Sequence, residues 1–217
     1  MDDIPVYISG EDAVTKAIIE RLLGYCSSRF RVFKDIPARG SQVKNKISEL
    51  NRLAMSKPVI LLTDLDATDC APVLRSNLLN GEVQSRDFLI NIAVDEGEAW
   101  LLADRKGFAE YLGVPYDCIP GASFQKMGGR KALIEMEFHA KSSWVLTHEI
   151  ARDAGNSMLK QKILSVGTAS KGPDYNSAVL PFIRDKWSID TAMKNSDSLS
   201  RMIRRLKTLE GRFPIGR

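Results

Sequence analysis

The chain is poor in the two residue types that dominate nucleophilic catalysis and transition-metal binding, with two histidines and three cysteines among its 217 residues. His139 and His148 lie nine positions apart, which excludes HExxH zinc chemistry and leaves both as surface or packing residues rather than general bases. Cys26, Cys70 and Cys118 are odd in number and lack metal-ligand spacing, so they read as reduced thiols. Long apolar runs are also missing. The longest, at residues 58–63 and 99–103, are strand length and far short of the roughly 18 residues a membrane span needs. The opening Met1-Asp2-Asp3-Ile4-Pro5 is acidic where a signal peptide would be positive, so a cytoplasmic location is expected, away from any membrane. A phosphate loop is absent as well, because Gly128-Gly129-Arg130-Lys131 has neither the Walker spacing nor a preceding strand.

What remains is ordinary globular material, 44% hydrophobic and 27% charged, enough for a real core. The net charge of +4 hides an asymmetry. Residues 1–159 carry 19 Lys or Arg against 22 Asp or Glu, whereas residues 160–217 carry 12 against 5. A mildly acidic body with a basic C-terminal quarter points the tail at an anionic partner, the alternative being a solvated helical face.

Strand-like runs at 4–9, 30–36, 58–63 and 88–94 alternate with helical stripes. The first stripe is carried by Val14, Ala17, Ile18, Leu22 and Tyr25, and the second by Val43, Ile47, Leu50, Leu53 and Ala54. Ser9 with Asp12 is compatible with a cap that starts the first helix. Short helices are expected at 71–80 and at 98–111, the latter broken near Asp104. This alternation predicts βαβ units, hence an α/β fold with a mostly parallel sheet flanked by helices. Beyond Gly113, Pro115, Pro120 and Gly121 mark a loop and no convincing strand pair follows. Helices are expected at 130–140 and 176–187. In the last helix Leu199, Met202, Ile203, Leu206 and Leu209 share one face, with Arg201, Arg204, Arg205 and Lys207 elsewhere. The expected division is an α/β domain over residues 1–120 and a mainly helical region over 121–217.

The chemically informative motif is Thr63-Asp64-Leu65-Asp66, at the carboxyl end of the third strand. In an extended chain positions i and i+2 face the same way, so Asp64 and Asp66 can converge. Hard carboxylate oxygens held together suit Mg²⁺ or Mn²⁺. Open parallel sheets bind ligands at this rim. Glu11 follows the first strand there, and Asp95, Glu96 and Glu98 follow the fourth. Glu11, Asp64 and Asp66 are therefore candidate catalytic residues, and with Glu96 and Glu98 candidate metal ligands, in a site suited to phosphodiester cleavage.

A glutamate after the first strand and a DxD after the third resemble the Toprim domain of topoisomerases, primases and the OLD (overcoming lysogenization defect) nucleases. Several segments resemble more narrowly a family of small bacterial OLD-like Toprim proteins. They are residues 59–66 with Cys70, the AVDEGEAWLLAD run at 93–104, Gly172-Pro173-Asp174-Tyr175-Asn176, and Ser198-Leu199-Ser200-Arg201 leading into Arg205-Leu206. The chain departs from that family at Asp95, where arginine is usual, at Gly97, where an aliphatic residue is usual, and at Arg130-Lys131 in place of Pro-Lys. Members are often encoded beside an ABC-type ATPase and suspected in phage defence. The resemblance implies a divalent-metal nuclease with nucleic acid (DNA or RNA) and such an ATPase as partners, and it leaves oligomeric state open. A topoisomerase is disfavoured for want of a strand-passage domain, and a primase for want of a zinc module. The competing class is a non-catalytic Toprim-like module that docks on an ATPase or nucleic acid.

Candidate nucleic-acid contacts are Arg39 and Lys44, at a helix start suited to phosphate, Lys171 beside Tyr175, and Arg201, Arg204 and Arg205. Trp100, Trp144 and Trp187 read as core anchors rather than base-stacking platforms.

Overall fold

The computed structural model describes residues 2–37, 42–127 and 130–213, with the backbone alone described for Lys44 and residues 125–127 and 130–134. Through residue 93 strand and helix alternate as β1 (Ile4–Gly10), α1 (Ala13–Cys26), β2 (Phe30–Asp35), α2 (Gln42–Leu53), β3 (Val59–Asp64), α3 (Ala71–Leu79) and β4 (Phe88–Ala93). All four strands are parallel in the order β2-β1-β3-β4, so β2 and β4 are the edges. The fold is the expected α/β type, a parallel sheet flanked by helices.

Burial explains the strand compositions. β3 keeps its first five residues buried and β4 all six, which is why both are nearly continuous apolar runs. Asn91, the polar exception in β4, is satisfied by donating to the carbonyls of Leu61 at 3.2 Å and Leu89 at 3.4 Å. In β2 only Phe30 is buried, so its remaining residues tolerate charge, and Phe33 sits edge-on to Tyr7 at 5.4 Å. One side of the sheet packs Val59, Leu61, Phe88 and Ile90 against Val43, Ile47 and Leu50 of α2 and Leu74 and Leu78 of α3. Asp12, not Ser9, starts α1: its side chain accepts from the Thr15 amide while Thr15 Oγ1 accepts from the Asp12 amide. Ser9 belongs to β1 and donates to the Ile36 carbonyl at 3.0 Å.

The chain forms two compact units, residues Met1–Val94 with Arg201–Arg217, and Asp95–Ser200. The division thus falls at the end of β4 rather than near residue 120, where the Pro- and Gly-marked loop lies inside the second unit. The final segment returns to the first unit, a long-range association that no local pattern encodes.

The second unit holds α4 (Gly97–Leu102), α5 (Arg105–Leu112), β5 (Ala122–Met127), β6 (Arg130–Met136), α6 (Ser142–His148), α7 (Ser157–Ile163), α8 (Tyr175–Pro181) and α9 (Ile189–Ala192). It also holds the start of α10 (Asp197–Glu210). Short helical turns cover Tyr116–Cys118, Ile150–Asp153 and, continuing α8, Phe182–Lys186. β5 and β6 form an antiparallel pair where a helix was expected at 130–140. The run Lys131-Ala132-Leu133-Ile134-Glu135-Met136 is too short for period to separate helix from strand, and its pairing with a partner outside the run decides it. Trp100 and Trp187 are buried as anchors, and Trp100 donates to Ser198 Oγ at 2.8 Å. Trp144 is not an anchor: it is 41% exposed, with its ring stacked on His148 at 4.6 Å.

Candidate active site

Glu11, Asp64 and Asp66 come together in the first unit, at the carboxyl ends of the neighbouring strands β1 and β3. They line one cavity of about 380 Å³ with Thr63 and Thr68, over Val43, Leu74 and Leu78. The route to this convergence differs from the extended-chain argument. The strand ends at Asp64, the Leu65 amide still donates to the Ala93 carbonyl at 2.9 Å, and the chain then turns, with Thr68 donating to the Leu65 carbonyl at 3.1 Å. Asp66 occupies the left-handed region at φ 49°. Aspartate tolerates that region better than most residues, and such backbone outliers concentrate at functional sites.

Glu11 has a definite structural partner. Its Oε1 accepts from the Asp64 amide at 3.1 Å and from Thr63 Oγ1, tying the end of β1 to the end of β3. Because Asp12 caps α1, Glu11 is left to face the cavity. Carboxylates suit a hard cation. Among the described residues no group of three or more His, Cys, Asp or Glu side chains is arranged to hold a metal ion. A Mg²⁺ ion needs only one or two protein carboxylates when water and substrate phosphate supply its other ligands, so it is the one cation class such an open set of donors could serve.

The acidic residues after β4 belong to the second unit, and each has protein partners there. Asp95 Oδ2 accepts from the Ser142 amide at 2.8 Å, and Glu96 Oε2 accepts from the Ser143 amide at 2.9 Å, so the pair satisfies the first amides of α6. Burial pushes the Asp95 carboxyl above the usual carboxylate range despite these bonds from Ser142, with Glu96 adding to the rise. Glu96 Oε1 also lies 3.4 Å from Lys141 Nζ. Glu98, 4% exposed at its side chain, accepts through Oε1 from Lys171 Nζ at 2.8 Å and the Tyr175 hydroxyl at 2.9 Å. Glu96 and Glu98, expected as metal ligands, thus already have cationic partners, and Lys171, expected at nucleic acid, is directed at a buried carboxylate. These partners sit about 45 to 77 positions away in sequence, so no local signal reveals them.

Arg39 lies outside the described residues, as does the side chain of Lys44. Arg201, Arg204 and Arg205 line a groove of about 430 Å³ in the first unit, together with Arg75, Arg86 and Arg212, which sequence reasoning did not single out. Arg205 donates to the Ile90 carbonyl at 2.9 Å on edge strand β4. Its pKa is lowered, first by burial and then by Arg75, Arg201 and Arg204. Comparison with protein-family models, curated proteins and solved structures finds none that matches this chain.

Proposed function

We propose that this chain is a divalent-metal-dependent nuclease of Toprim type that hydrolyses a phosphodiester. The observation that carries the reading is the convergence of Glu11, Asp64 and Asp66 on one cavity at the carboxyl rim of a parallel sheet. Asp64 and Asp66 would hold Mg²⁺ or Mn²⁺, which supplies charge stabilisation on phosphate oxygens and a lowered pKa for bound water. Glu11, fixed by Thr63 and the Asp64 amide, keeps its carboxylate at the cavity to orient or deprotonate water. Thr63 and Thr68 line the same cavity and offer hydroxyl donors to a phosphate. The resemblance to OLD-like proteins extends the proposal to a phage-defence effector working with an ABC-type ATPase.

The test is cleavage of a panel of DNA and RNA substrates by the full chain, in Mg²⁺, Mn²⁺ or EDTA, with and without an ATPase encoded next door. Metal-dependent cutting that disappears in Asp64→Asn and Asp66→Asn is expected. Wild-type turnover in either variant would remove the two-carboxylate site. No cleavage of any substrate, together with no rise in melting temperature at millimolar Mg²⁺, would favour the docking-module reading.

A further inference from the structure

The groove on the β4 edge joins arginines from three separate parts of the chain. Arg75 projects from α3, Arg86 precedes β4, and Arg201, Arg204, Arg205 and Arg212 come from α10 and the residues after it. Its lining holds six arginines and no Asp or Glu, over a floor of Phe88, Leu89 and Ile90. The partners shown are mostly neutral oxygens. Arg75 holds the Gln84 side-chain carbonyl at 2.6 and 2.8 Å, Arg205 the Ile90 carbonyl, and Arg212 the Arg86 carbonyl at 2.9 Å. Arg212 also pairs with Asp87 at 2.9 Å. Like charges so gathered repel, and burial and neighbouring arginines both disfavour the charged form of Arg205. An anionic ligand relieves this repulsion.

We infer that this groove binds the phosphate backbone of a nucleic-acid strand, an assignment that rests on the nuclease reading for the identity of its ligand. Three features favour closely spaced phosphates over a single small anion. All six cations are arginines, whose planar forks match phosphate oxygens in pairs. From Arg201 to Thr208 the helix rises about 10 Å, the axial rise of about three stacked nucleotides. The groove also lies on the strand that leads to the candidate active site. β4 runs about 16 Å from Phe88 to Ala93, and Ala93 pairs with Asp64. A strand anchored over Phe88–Ile90 thus needs only a few more nucleotides to present a phosphodiester at the carboxylates.

The experiment measures fluorescence anisotropy of a labelled single-stranded 20-mer bound to the full chain in EDTA, titrated from 50 to 200 mM NaCl. With three phosphates engaged by the six arginines, affinity should fall about 20-fold over that range, and in Arg75→Gln/Arg86→Gln only about sevenfold, because losing a third of the arginines removes one phosphate contact and flattens the slope by about 0.7. Neither arginine is in the basic tail, so this double variant separates a composite groove from a merely basic helix. Arg75→Lys/Arg86→Lys should restore the salt slope, since it returns the charges; a flat slope in the lysine variant would overturn the inference. So would a wild-type slope in the glutamine variant when its melting curve is unchanged. Displacement of the strand by polyphosphate but not by polyglutamate is expected, and equal displacement by polyglutamate would reassign the groove to an acidic protein partner. Because binding is read without metal, salt-dependent binding with no cleavage refutes the metal site alone, and cleavage with salt-insensitive binding refutes the groove alone.

Discussion

Glu11 is where a structural and a chemical role can be separated by one residue. Its Oε1 accepts two hydrogen bonds, from Thr63 Oγ1 and the Asp64 amide, so Glu11→Ala leaves both donors unpaired at the sheet rim. Two such losses cost about 1–3 kcal/mol each when buried, and the half-exposed position puts the total near the low end, about 2 kcal/mol. Glu11→Gln keeps an oxygen in place and loses only the charge-assisted part of the bonds, about 1 kcal/mol. Offset against part of that is relief from the carboxylates of Asp64 and Asp66, which line the same cavity. In EDTA the glutamine variant should therefore melt within about 2–4 °C of wild type. The alanine variant should melt lower by about 4–8 °C.

Calorimetry on the full chain gives these shifts. A cycle with Thr63→Val isolates the bond: Glu11→Ala should be milder in the valine background than in wild type. Strict additivity would refute the latch. Activity reads the other role. Glu11→Gln should abolish cleavage and shrink the rise in melting temperature on adding Mg²⁺. Full turnover with an unchanged Mg²⁺ response would reduce Glu11 to the latch between β1 and β3.

Two further outcomes follow from buried groups outside the rim. Burial raises the pKa of Asp104, although the amides of Ser188 and Gly107 donate to its carboxylate at 2.8 and 3.3 Å. Its folded value lies above its unfolded one, so its contribution to stability is full below pH about 4 and is lost as pH rises through the folded value. Asp104→Asn, which keeps a capping oxygen for α5, should gain on wild type between pH 4 and pH 7. A melting difference that does not vary with pH would contradict this. The Cys26 thiol is pushed up to about 11 by burial, against a smaller opposing effect of Lys207, whereas Cys70 is exposed. Iodoacetamide at pH 8 should label Cys70 well before Cys26, and equal labelling by peptide mass spectrometry would refute the assignment.

Local periodicity carried the first ninety residues. The apolar runs read as strands are the buried β3 and β4, and the five apolar residues of α10 from Leu199 to Leu209 are all buried as their spacing required. Three kinds of information were not local. The return of α10 to the first unit depends on which distant surface its stripe covers. The β5–β6 pair turned on the presence of a partner strand rather than on the ambiguous run itself. The partners of Glu96 and Glu98 come from α6 and from Lys171 and Tyr175, so two residues that looked like free rim carboxylates are tied within their own unit. Asp64 and Asp66 did converge, but through a left-handed turn at Asp66 and not through strand alternation.

The placement of charge within the first unit follows from sheet geometry. A parallel sheet collects its loop-borne side chains at one rim, and the edge strand is the one place where another element can bring cations against its open carbonyls. Here the carboxylates take the rim and the arginines take the edge of β4, with Arg205 holding the Ile90 carbonyl. The rise along β4 from Ile90 to Ala93, with one strand spacing across to Asp64, separates them by about 10 Å. That is comparable to a Debye length at 0.1 M salt, about 10 Å. The two groups are thus too far apart to neutralise each other through direct ion pairs, yet close enough for one polyanion to touch both. A carboxylate rim next to an arginine-lined edge is the arrangement the proposed phosphodiester substrate requires, because its backbone must be held by positive charge while the scissile phosphate is brought against negative charge that only a bound cation can offset.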